Sequence, residues 1–96
     1  MHYYIQVLDV AKELFGKDHI RTARYHYLLG QAFENTRNKT QARYHYRQAL
    51  DIAKKQHFDY EILRIKHQEN IKTIKYRLEK IGEYGSWLNK HKTNSP

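Results

Sequence analysis

Ninety-six residues, 40% hydrophobic and 29% charged, suit one soluble globular domain with a modest core. No uncharged run is long enough to cross a bilayer, and Met1–Val10 lacks the basic start and small-residue cleavage site of a secretory leader. The absence of cysteine excludes disulfide scaffolds, cysteine-ligated zinc and thiol chemistry, and fits a cytoplasmic setting. The net charge of +8 is spread out, residues 1–19 carrying −1, 20–38 +2, 39–58 +4 and 59–96 +3. With no run of five like charges, this is a surface for anionic partners in general rather than a nucleic-acid-binding tail.

Strand signals are missing and helical periodicity runs throughout. The first helix spans about 2–15 and stops at Gly16, a residue suited to a left-handed cap. Asp18 is the expected cap of a second helix over about 20–35. Asn38, with Gln41 three residues on, resembles a capping box for a third over 39–57. Asp59 is the expected cap of a fourth over 60–81, which Gly82 and Gly85 end. Residues 1–88 form the expected domain, and 89–96 read as a polar, disordered tail. At 100° per residue, Leu63, His67, Asn70, Ile71, Ile74, Leu78 and Ile81 fall in one arc of the fourth helix. Lys66, Glu69, Thr73, Tyr76 and Arg77 form one polar flank, and Arg64, Gln68, Lys72, Lys75 and Glu79 the other. Ile62 and Ile65 break the pattern, lying among the polar residues.

A repeat is present. The stretch from Tyr4 to Lys12, YIQVLDVAK, recurs 42 residues later from Tyr46 to Lys54 as YRQALDIAK, with six of nine positions identical. The first and third helices are therefore copies. A second echo, ARYHY, occurs at Ala23–Tyr27 and again at Ala42–Tyr46.

These residues resemble the tetratricopeptide repeat (TPR) family. That family pairs Leu-Gly with a large residue three later, here Leu29-Gly30 and Phe33. It then places a small residue, an aromatic and an alanine, here Ala42, Tyr46 and Ala49. Gly30 and Ala42 are small where two helix backbones approach, and Phe33 and Tyr46 fill the space between. The 42-residue period exceeds the family's usual length of about 34, and Leu14–Ala23 is similar to the linker of the kinesin-light-chain variant, with Ile20 in place of its proline. The resemblance covers Tyr3–Lys55. It weakens after that, because the position matching Gly30 is Lys72. It implies an all-α fold, a short solenoid of antiparallel helix hairpins with a long C-terminal capping helix.

Catalytic and metal sites find no support. The seven histidines never lie three or four apart, so no helix offers an adjacent zinc pair. There is no nucleophile motif, no glycine-rich phosphate loop and no HExxH. The reading is no enzyme, no metal and no cofactor. The resemblance implies a concave groove for a peptide or partner helix, lined by first helices of each pair. Carried over by position, the groove residues are Arg24, Tyr27, Gln31, Glu34 and Asn35, then Lys66, Glu69, Thr73, Tyr76 and Arg77. The second five are the polar flank that periodicity defines independently. Arg24, Lys66 and Arg77 point to an acidic partner. The runner-up reading is a basic nucleic-acid-associated module, or the sensing part of a peptide-responsive bacterial transcription regulator.

The first helix carries a wide apolar arc, Tyr3, Tyr4, Val7, Leu8, Val10, Ala11, Leu14 and Phe15, spanning about 160°. A solenoid edge normally needs a polar cap. Tyr3, Val10 and Leu14 are therefore expected to contact the preceding helix of a longer parent or a second copy, as a homodimer or an exchanged helix.

Overall fold

The structure is a computed structural model that describes residues 2–82; Gly85, Trp87 and the tail expected over 89–96 lie outside them. Four helices follow one another: α1 (His2–Phe15), α2 (Ile20–Asn35), α3 (Lys39–Lys54) and α4 (Glu61–Lys80). Each packs on the next, with α2 and α3 forming the most intimate hairpin.

The connections show why the helices stop where they do. Gly16 adopts a φ of 95°, a left-handed conformation that side chains with a Cβ resist, and its N–H closes α1 on the Lys12 carbonyl. The expected Asp18 cap is displaced by one residue. His19 takes the N-cap, its Nδ1 accepting from the Arg21 N–H at 3.0 Å. Asp18 instead pairs with Lys55 at 3.3 Å. α2 ends in a Schellman turn, with the Arg37 N–H on the Glu34 carbonyl and the Asn38 N–H on the Phe33 carbonyl. Arg37 sits at φ 63°, where glycine is the usual choice.

Asn38 caps α3, its side chain accepting from the Gln41 N–H at 3.3 Å. Asn38→Ala is expected to cost about 1 kcal/mol, read as a lower urea midpoint with an unchanged slope. α3 ends at Lys54, three residues before the expected His57. The Gln56 amide donates to the Ile52 carbonyl and to the Asp18 carbonyl, so it ties the chain back to the α1–α2 turn instead of extending the helix. Asp59 does not cap α4 either. Tyr60 is the N-cap and makes no side-chain cap bond, while Asp59 lies 3.6 Å from the His57 ring.

The core lies between α3 and its two neighbours. Ala42, Tyr46, Ala49, Leu50 and Ala53 of α3 are buried with Ile71, Ile74 and Leu78 of α4, and Tyr27, Phe33 and Ile81 pack against them. Three alanines on α3 let helices approach from both sides. Gly30 meets the Tyr46 ring at close range. A Cβ on Gly30 would lie 2.6 Å from ring carbons of Tyr46, which is itself fully buried.

Candidate functional site

α2 and α4 flank α3 and leave a groove of about 430 Å³ between them. Its floor is apolar, built from Ile20, Ala23, Ala53 and Ile74. His67 belongs to that floor, its Nε2 donating to the Ala53 carbonyl at the C-terminal end of α3. Arg21 and Arg24 enter from α2, and Asn70 and Thr73 from α4. Arg24 forms no ion pair with any described residue. Arg21 lies over the Phe15 ring, 5.2 Å from its centroid.

Toward the C-terminal end of α2 the same side of the molecule is closed by a polar network. The Tyr46 hydroxyl donates to Glu34 Oε1 at 2.6 Å, and Arg77 approaches the same oxygen at 3.5 Å. Arg77 also lies over the Tyr27 ring, 5.8 Å from its centroid, and the Gln31 amide reaches the Tyr27 hydroxyl at 3.5 Å. Burial and the Glu34 carboxylate push the Tyr46 hydroxyl well above the usual phenol range. Burial works against the Arg77 charge, but the facing Tyr27 and Tyr46 hydroxyls outweigh it and raise its pKa.

Of the ten expected groove residues, Arg24, Tyr27 and Thr73 line the cavity, while Tyr27, Gln31, Glu34 and Arg77 form the network. Asn35, Lys66 and Tyr76 are exposed and outside the cavity lining. Glu69 lines a separate shallow depression with Glu61, Arg64, Ile65, Gln68 and Lys72. Ile20, Arg21, Ala23, Ala53, His67, Asn70 and Ile74 are the lining residues that sequence reasoning left out. One signal pointed to two of them: His67 and Asn70 are polar residues inside the apolar arc of α4. A polar group there either needs an internal partner, as His67 has, or borders a hollow, as Asn70 does.

The two-copy sequence and the sequential helix pairs now meet an independent comparison. A family model described as "Tetratricopeptide repeat" matches residues 2–55. The chain belongs to the tetratricopeptide repeat family. A TPR array is an all-α scaffold whose members bind protein partners. Searches of curated proteins and of solved structures found no match. The TPR signature residues have concrete places here, with Gly30 supplying the notch that the Tyr46 ring occupies. Phe33 stacks on His45, their rings 5.6 Å apart and within 5° of parallel.

The TPR hairpin also buries a pair that its signature does not require. His26 Nδ1 and His45 Nδ1 are 3.0 Å apart, so one ring donates and the other accepts. The two ARYHY segments thus pack like on like, with Tyr27 and Tyr46 also in ring contact. Burial, then His45, then Lys12 of α1 hold the His26 imidazole down at about 4. His45 is lowered by burial and by Lys12. Among the described residues no three His, Asp or Glu side chains gather as a metal site, and no helix is long and apolar enough to cross a membrane.

Proposed function

We propose that this TPR domain is a binding module without chemistry of its own, and that its α2–α4 groove holds an extended peptide bearing carboxylates. The cytoplasm is the compartment that suits its cysteine-free sequence. The observation that carries this reading is the composition of the groove: an apolar floor with Arg24 at its edge, unpaired among the described residues. The floor takes apolar side chains. Arg24, with Arg21 beside it, takes a carboxylate in a charge-assisted hydrogen bond. Asn70 and Thr73 are placed to meet peptide backbone groups. Arg77 supports the site rather than reading the ligand, because Glu34 already occupies its charge. The cation set proposed for the ligand therefore centres on Arg24 and Arg21, with Lys66 and Arg77 outside it.

Fluorescence anisotropy with labelled acidic, neutral and basic peptide pools tests the reading. Acidic peptides are expected to bind best, and Arg24→Ala to weaken them by about 1–3 kcal/mol. Unchanged affinity in the Arg24→Ala variant would remove the groove assignment. Duplex DNA binding that falls steeply with salt and ignores Arg24→Ala would favour the nucleic-acid reading instead.

A further inference from the structure

We propose that the outer strip of α1 docks against the same strip of a second copy, the two helices antiparallel about a two-fold axis. The strip is Tyr3, Val7, Val10 and Leu14. Tyr3 is 69% exposed, Val10 51% and Leu14 70%, and Val7 is half-buried. Leu8 and Ala11 form the buried face of α1.

The internal repeat shows what such a strip is for. Shifted by 42 residues, Tyr3, Val7, Val10 and Leu14 become His45, Ala49, Ile52 and Gln56 of the α3 segment. There all four are engaged. His45 pairs with His26 of α2, Ala49 and Ile52 are buried, and Gln56 bonds the Asp18 carbonyl. The copy that leaves this strip open is also the more apolar one, with Tyr3 and Leu14 in place of His45 and Gln56. An exposed apolar strip that is covered in its own repeat marks an interface.

The other end of the array decides the occupant. If copies stacked head to tail, α1 would sit on α4 as α3 sits on α2. The α2 residues that receive α3 are His26, Gly30 and Phe33. Their counterparts on α4 are Gln68, Lys72 and Lys75. Lys72 stands at the position of the glycine that an aromatic ring needs, and an apolar strip would desolvate its ammonium group without pairing it. α4 therefore does not receive the α1 strip of a second copy.

The α1 strip suits itself. Its spacing of four, three and four residues is that of a helix–helix seam. A two-fold axis between Leu8 and Asp9 in sequence sets Tyr3 against the partner's Leu14 and Val7 against the partner's Val10. It also places the two Glu13 carboxylates at opposite ends of the seam, whereas a parallel pair would set them side by side. Because both copies use the same patch, association stops at two. One helical strip is smaller than the roughly 800 Å² per partner of a stable interface, so the dimer is weak and reversible.

The cysteine-free chain permits a direct test. Sedimentation velocity from about 1 μM to 1 mM is expected to show a monomer–dimer equilibrium, and Leu14→Asp is expected to raise the dissociation constant about tenfold or more. Leu14 is exposed, so this variant should melt as wild type does. Mixing equal amounts of Tyr3→Cys and Leu14→Cys under mild oxidation is expected to give the mixed disulfide well beyond the about twofold excess over each self-linked product that random pairing alone gives. A strict monomer at every concentration, a dimer that survives Leu14→Asp, or a mixed product no more abundant than random pairing gives would overturn the proposal. None of these outcomes depends on the α2–α4 groove.

Discussion

Gly30→Leu is expected to be the most destabilising single substitution in the hairpin, costing about 3 kcal/mol or more against the usual 1–3 kcal/mol of overpacking. Gly30 lies mid-helix with no unusual φ, so its role is space rather than conformational freedom. Even a Cβ would lie 2.6 Å from Cδ1 and Cε1 of Tyr46. The ring has nowhere to go. It is fully buried, and its hydroxyl is anchored on Glu34 at 2.6 Å. Gly30→Ala separates two opposing effects. Alanine favours a helix over glycine by about 1 kcal/mol, which overpacking of a fixed aromatic ring exceeds. Alanine should therefore also destabilise, though less than leucine. For a domain of this size about 3 kcal/mol lowers Tm by roughly 12 °C or more. A Gly30→Leu protein that melts at the wild-type temperature would show that α2 and α3 do not meet at this notch.

Acidification is expected to give the second large effect. In the unfolded chain histidine takes up protons near its ordinary value of about 6.5. In the native protein His26 resists protonation down to about 4, and His45 is lowered as well. The unfolded state therefore binds more protons between these values. The stability due to the neutral pair is complete above about pH 6.5 and is lost as pH falls toward 4. For His26 the loss amounts to at most about 3 kcal/mol. The geometry gives the cause. Burial disfavours any imidazolium here, and charging both rings would set two imidazolium groups 3.0 Å apart with Lys12 facing them from α1. Urea midpoints measured from about pH 7.5 to 4.5 should fall along this limb, and the His26→Leu, His45→Leu double variant should fall less. A wild-type midpoint constant across that range would contradict the assignment of a neutral, proton-sharing pair.

Much of the fold was legible because small and large residues recur at complementary positions. Gly30 with Tyr46, and Ala42 with Ala49, describe a close hairpin in the sequence itself. The Asn38 cap was equally plain. The caps at Asp18 and Asp59 were misplaced by one residue each, because His19 can use a ring nitrogen as a cap acceptor and Tyr60 caps with its backbone alone. The end of α3 was missed for a tertiary reason: Gln56 bonds a carbonyl 38 residues away in sequence. The candidate groove was legible only in part. Repeat register places Arg24, Tyr27 and Thr73, but register cannot show that Arg77 is spent on Glu34. The histidine contact was written in the duplicated ARYHY segment, yet only the packed hairpin shows that the two copies face each other.

Ligands are proposed to enter the groove between α2 and α4. A peptide selected from a random displayed library against the wild-type domain, then titrated into isotope-labelled protein, tests this most directly. Backbone and side-chain NMR shifts are expected to concentrate on Arg24, Tyr27, Asn70 and Thr73, and to fade in Arg24→Ala. Shifts confined to the outer face of α3, around Lys39, Tyr44 and Asp51, with Arg24 unmoved, would contradict it.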